Sequence, residues 1–195
     1  MTGSDGTERW RCFVAVPVPD DLRATLSEFV ESLRRHPGAD GWRWTDPDAW
    51  HLTLAFLGAT EVKRVPELAT GLAEVVIGIN AFSVATGGVG AFPGAQRARV
   101  LWYGIDDPDG RLRDVASRAS IAVGLPVAQT FQPHLTLARS RAERGTDARS
   151  VLAAAEPPRG NLPITELVLY RSHLSRGPAR YEALSRYALG AAVPA

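Results

Sequence analysis

His51-Leu52-Thr53-Leu54-Ala55 recurs, identical at all five positions, as His134-Leu135-Thr136-Leu137-Ala138, 83 residues later. In a strand, alternate side chains share a face. His51, Thr53 and Ala55 therefore point one way, and Leu52, Leu54 and Phe56 the other. The second copy behaves alike: His134 and Thr136 lie together, with Leu135 and Leu137 opposite. The leucines serve to pack against helices. An imidazole and a hydroxyl are left side by side on the other face of each strand.

The surrounding pattern makes the repeat larger than a pentapeptide. Residues 11–16 (RCFVAV) read as a strand, stopped by Pro17 and Pro19, and Asp20 or Asp21 is placed to cap a helix. Leu22, Leu26, Phe29, Val30 and Leu33 follow at helical spacing. A strand near Trp50–Leu57, a helix over Val65–Ile79 and a strand over Phe82–Val89 complete the first half. The order then recurs. There is a strand at Arg99–Ile105 and a helix through Leu112, Val115 and Ala119. A strand lies within Thr130–Arg139, a short helix in Asp147–Glu156, and strands at Glu166–Leu174 and Tyr181–Leu189. Each half thus reads strand, helix, strand, helix, strand, with HLTLA on the central strand. A pseudo-twofold axis between such halves would let the two His-Thr pairs face each other.

Composition sets the bounds. The chain has 195 residues, 45% hydrophobic and 22% charged, which suits one globular unit. A single cysteine, Cys12, allows no internal disulfide, in keeping with a reducing cytoplasm. No apolar run approaches the roughly 20 residues of a membrane span. Met1–Arg9 is polar, lacks the pattern of a secretory leader and reads as a disordered tail. A net charge of +1 argues against a broad grip on a long duplex, although one phosphate or one RNA end remains within reach. All the basic residues but Lys63 are arginine, whose planar fork suits phosphate, although a codon bias accounts for the same count.

Paired His-Thr units have a natural chemistry. Two imidazoles on opposite sides of a phosphorus can divide the labour, one deprotonating a water and the other protonating a leaving oxygen. Two threonine hydroxyls can hydrogen-bond the non-bridging oxygens. A metal site would need a third or fourth ligand, and neither motif has an Asp or Glu in register beside it.

The sequence resembles the 2H phosphoesterases, and within them the RNA 2′,3′-cyclic phosphodiesterases, also called 2′–5′ RNA ligase-like proteins. Their two HxTx motifs are matched by His51–Leu54 and His134–Leu137. Supporting strings are Phe13-Val14-Ala15-Val16-Pro17, Gly88-Val89-Gly90-Ala91-Phe92-Pro93, Arg99-Val100-Leu101-Trp102 and Leu169-Tyr170-Arg171-Ser172. The likeness runs from about Trp10 to Leu189. Trp50 stands where leucine is more usual, a change that concerns packing.

The resemblance implies an α+β fold of two pseudo-symmetric lobes, each an antiparallel sheet with helices packed outside, forming a central cleft. The bilobal domain would cover 10–189, in halves of about 10–95 and 96–189, with tails at 1–9 and 190–195. It implies hydrolysis of RNA 2′,3′-cyclic phosphate ends to 2′-phosphate, with His51 as proton donor and His134 as proton acceptor, and Thr53 and Thr136 beside them. The pseudo-symmetry itself leaves the two roles interchangeable. The same chemistry with a 5′-hydroxyl in place of water would join RNA ends through a 2′–5′ bond. No cofactor and no metal is implied. The expected setting is a cytoplasmic monomer without a protein or membrane partner.

Five positions after each histidine the halves differ, with Phe56 in one and Arg139 in the other. In the family this arginine contacts the phosphate and the aromatic can stack on a base. Strand parity puts both with the core-facing leucines, so such a role requires the strand to bend or end there. Tyr170 and Ser172 share a strand face and are further substrate-contact candidates. Arg141, Arg144 and Arg149 cluster with Arg139 in or beside one loop, to steer an RNA end or merely as a solvated loop offset by Glu143 and Asp147. His36 and His173 read as structural, and Gly87-Gly88-Val89-Gly90 as a turn region. The alternative within enzymes is a phosphodiesterase of small cyclic nucleotides, and the alternatives of another class are a non-catalytic RNA-end-binding module and a duplicated structural domain.

Overall fold

The structure is a computed structural model, described here for residues 8–173 and 179–191. The expected tails fall mostly on 1–7 and 192–195, and the expected strand end at Leu174 on 174–178, all outside the described residues.

Among the described residues, nine strands and four α-helices follow one another in the order β1 (Arg9–Pro17), α1 (Asp20–Arg34), β2 (Trp42–Trp44), β3 (His51–Glu61), α2 (Val65–Val75), β4 (Phe82–Phe92), β5 (Val100–Ile105), α3 (Arg111–Ala122), β6 (His134–Ser140), α4 (Arg149–Ala153), β7 (Gly160–Ile164), β8 (Glu166–His173) and β9 (Arg180–Ala188). All the ladders between them are antiparallel, and the strands form one curled sheet ordered β7-β4-β5-β6-β3-β1-β8-β9, with β2 added beside β6.

The order is a pseudo-twofold pattern. Outward from the centre run β3-β1-β8-β9 on one side and β6-β5-β4-β7 on the other. The lobes are α+β as expected, and their two sheets are continuous through β3 and β6. They are not, however, the sequence halves 10–95 and 96–189. Strand β4 leaves the first half to pair with β5, and β8–β9 leave the second half to pair with β1. Among the described residues the chain thus crosses between lobes four times, since β2 pairs with β6 before β3 returns to the first lobe, and neither half carries a complete lobe.

Leucines of the repeated motif anchor this sheet. Leu52 and Leu135 are fully buried and Leu137 nearly so, in one core with Leu26 of α1, Leu72 of α2 and Leu112 of α3. Burial of side chains this size stabilises by about 1.5–3 kcal/mol each, which fixes the leucine face toward the helices and leaves the His-Thr face outward.

Several local differences have simple causes. Pro19 occupies the N-cap position of α1 without a side-chain cap, and Asp20 and Asp21 fall in the first turn, where acidic side chains suit the macrodipole. The glycine stretch lies inside β4 as an irregular strand, not a turn, with Gly88 at φ +74° beside the register shift. Gly90 is required there because the Trp102 ring lies on it; a Cβ would meet Cζ2 at 2.2 Å. Gly190 belongs to the fold through a bridge to Asn80. No helix among the described residues is long and apolar enough to cross a membrane.

Candidate active site

Strands β3 and β6 meet through the Leu52–Leu135 pair. An antiparallel register centred there carries His51 toward Thr136 and His134 toward Thr53. All four side chains lie on the face away from the helices, and all are half-buried. The positive charges available to His134 and Arg139 are felt at His51, which places these groups within electrostatic reach of one another.

Both imidazoles are held the same way. His51 Nδ1 is 2.8 Å from the Ala49 carbonyl oxygen and His134 Nδ1 is 2.7 Å from that of Gln132, each two residues upstream. A carbonyl only accepts, so Nδ1–H is the donor in both, and Nε2 is left as the free nitrogen. When neutral, that nitrogen takes a proton; when protonated, it gives one. Both motifs therefore present the same reactive atom.

Strand parity does not exile Phe56 and Arg139. In the β1–β3 ladder Ala15 pairs with Thr53 and Val14 with Ala55, so Leu54 is an extra, unpaired residue. In the β5–β6 ladder Trp102 pairs with Thr136 and Leu101 with Ala138, so Leu137 is extra. Each motif thus carries a β-bulge three residues after its histidine. The bulge resets alternation: Phe56 pairs with Phe13 on the face of Thr53, and Arg139 with Val100 on the face of Thr136. Phe56 is accordingly 54% exposed, and the Arg11 guanidinium sits 5.3 Å from its ring centroid.

The surroundings of the two histidines differ. Phe13 packs on His51 at 4.6 Å between ring centroids, Tyr181 meets its edge at 5.0 Å, and Tyr170 stacks on Phe13 at 5.2 Å. Around His134 the described aromatic neighbour is Phe92, edge-on at 5.0 Å, itself against Trp102. Burial in this box is the main cause that lowers the His51 pKa to about 4, reinforced by the positive charges of Arg139 and His134 and opposed by the Ala49 hydrogen bond. Burial likewise pushes the Tyr170 and Tyr181 phenols up.

Tyr170 is thus a wall of the box. Ser172 pairs with Arg11 and Tyr181, farther out on the same strand face. Phe13, Tyr181, Phe92 and Trp102 belong to the site and were not selected from the sequence. His36 accepts from the Gly38 amide, and His173 pairs with Glu182 at 2.8 Å. In the arginine-rich loop, Arg149 pairs with Asp147 and Arg141 donates to the Trp42 carbonyl. The described residues contain no group of three or more His, Cys, Asp or Glu side chains arranged to hold a metal ion.

Residues 16–102 and 105–180 match the family described as LigT like Phosphoesterase. The chain is 31% identical over 190 residues to the RNA 2′,3′-cyclic phosphodiesterase of Escherichia coli K12, covering 94% of this chain and 98% of that protein. It is 27% identical over 184 residues to the protein of the same name from Bacillus subtilis, covering 91% and 95%. The crystal structure of E. coli LigT complexed with phosphate superposes with a TM-score of 0.71 at 30% identity, over 94% of this chain and 99% of that one. The protein belongs to the LigT-like phosphoesterase family, among the 2H phosphoesterases.

Proposed function

We propose that the protein hydrolyses the 2′,3′-cyclic phosphate at an RNA end to a 2′-phosphate and a free 3′-hydroxyl, by acid/base catalysis between His51 and His134. The observation that carries this reading is the matched pair of imidazoles. Each is oriented by a backbone carbonyl at its own i−2 position, which leaves Nε2 free on the strand face that also carries a threonine. The names of the relatives and the phosphate complex of E. coli LigT support the substrate class.

In the step itself, one Nε2 takes a proton from water as the water oxygen attacks phosphorus. The bond from phosphorus to the 3′ oxygen breaks, and the other imidazole gives that oxygen its proton. Thr53 and Thr136 donate to the non-bridging oxygens, and Arg139 offsets their charge. Phe56 stacks on the terminal base; Tyr170 and Ser172 border its place. With a 5′-hydroxyl as the attacking group, the same step forms a 2′–5′ linkage.

The family pattern makes His51 the donor and His134 the acceptor. One observation favours the exchange of roles: burial holds His51 neutral at pH 7 in the free protein, the state a base needs. An incoming phosphate anion works against that burial and favours the charged imidazole, the state a donor needs.

The test is incubation with a short RNA ending in a 2′,3′-cyclic phosphate, with the product's phosphate located by ³¹P NMR. A 2′-phosphate is expected. A 3′-phosphate would reverse the leaving oxygen, and an unchanged end would refute the hydrolase reading.

A further inference from the structure

Arg43 lies in β2, a strand of three residues that the sequence patterning did not reveal. Its flanking residues set its direction. Trp42 is buried and Trp44 is packed against the same core, so both face the helices and Arg43 faces away. Across the ladder, Arg43 is the register partner of Arg139, with Trp44 opposite Ala138 and Trp42 opposite Ser140. The bulge at Leu137 has already turned Arg139 to the His-Thr face. Two exposed arginines therefore stand directly opposite each other on that face.

Like charges in that position destabilise a sheet. No ion pair relieves either arginine among the described residues. Their neighbours are already engaged, Arg149 by Asp147 and Arg141 by the Trp42 carbonyl. An arrangement that costs stability and lacks a protein anion suits an anionic ligand with more than one charge. Strand β2 is also where the pseudo-symmetry fails: it extends the edge of β6 beside Arg139, and among the described residues no strand does the same for β3 beside Phe56. A symmetric His-Thr centre cannot tell one direction of an RNA strand from the other. An arginine pair on one side and an exposed phenylalanine on the other can.

Resting on the proposed hydrolysis, we infer that Arg43 binds the phosphodiester one nucleotide 5′ of the reacting end, next to the phosphate held by Arg139. It thereby makes the site prefer an oligonucleotide to a mononucleotide.

The experiment compares wild type with Arg43→Gln on two substrates, a nucleoside 2′,3′-cyclic phosphate and a dinucleotide ending in one, between about 50 and 200 mM salt. For the dinucleotide, kcat/KM should fall about tenfold in the variant, chiefly through KM, the scale of one hydrogen bond to a charged group. The logarithmic salt dependence should lose a slope of about 0.7, one single-strand phosphate contact. The mononucleotide should be processed at the wild-type rate. The variant should melt at or above the wild-type temperature, because a repulsive pair is removed.

Equal loss on both substrates would put Arg43 at the reacting phosphate and overturn the inference. So would no loss on either, or a lowered melting temperature. Wild-type protein inert on both would refute the hydrolase reading and this inference with it.

Discussion

Leu52 and Leu135 are register partners, and among the described residues this pair is where the ladder of one lobe joins that of the other. The pseudo-twofold relation therefore passes between two buried leucines. Their neighbours in each strand, His51 and Thr53 on one side and His134 and Thr136 on the other, are presented on the opposite face by parity alone. The core residue and the reactive residue are set by the same alternation, so packing energy fixes the geometry of the site. Four consequences can be measured.

The hydroxyls of Thr53 and Thr136 are assigned to the non-bridging oxygens. Thr53→Val and Thr136→Val should each lower kcat by about 10²–10³-fold, the scale of one oxyanion donor. Urea unfolding should be little changed, because both side chains are half-buried at the surface of the site. Full activity in both variants would remove the threonines from the mechanism.

Phe56 is exposed, so its truncation leaves no cavity. Phe56→Ala should raise KM by about 5- to 100-fold, the range of one base-stacking contact, with the melting temperature within a degree or two. A core phenylalanine would behave oppositely, with a loss of about 3–5 kcal/mol of stability.

His51 gives a pH dependence of stability. The unfolded chain protonates it near 6.5 and the folded chain only near 4. Between these values the unfolded state holds the extra proton, so stability falls as pH falls. Over the whole interval the loss is about 3 kcal/mol, and the pH dependence fades well above pH 6.5, where both states are neutral. Urea unfolding at pH 7 and pH 4.5 should show this slope in wild type and its absence in His51→Gln. Tyr181→Ala, which opens the aromatic box, should raise the His51 pKa as read by NMR titration. An unmoved value would mean that burial by Tyr181 is not a cause.

The identity of the acid can be settled with a bridging sulfur in place of the 3′ oxygen, since a thiolate leaves without protonation. Of His51→Ala and His134→Ala, the variant that lost the acid should recover most of its rate on this substrate, and the other should not. Recovery of His51→Ala supports the family assignment; recovery of His134→Ala supports the exchanged roles. Hydrolysis of the ordinary substrate should continue in EDTA; loss of activity on chelation, restored by a divalent ion, would revive the metal reading.

Much of this arrangement was legible in the chain. HLTLA appears twice with period-2 alternation, so the strands, their buried leucines and the facing of the histidines follow from parity. Helices α1, α2 and α3 follow from the helical spacing of their apolar residues. Four features did not. Strand β2 is only Trp42–Trp44, too short to show alternation, and β7 carries Pro163, which reads against a strand. The positions of Phe56 and Arg139 depend on bulges at Leu54 and Leu137, and a bulge is a mismatch between two strands that neither strand records alone. The aromatic box of Phe13, Tyr170 and Tyr181 is drawn from β1, β8 and β9, which approach one another only because β8 and β9 cross to the first lobe.

The central claim is that two equivalent imidazoles perform the chemistry. The most direct measurement is the single-turnover rate of His51→Ala and His134→Ala on RNA ending in a 2′,3′-cyclic phosphate, with folding checked by circular dichroism. Each variant should lose about 10²–10⁴-fold in rate with its fold intact. A folded variant of either kind that turns over at close to the wild-type rate would contradict the account.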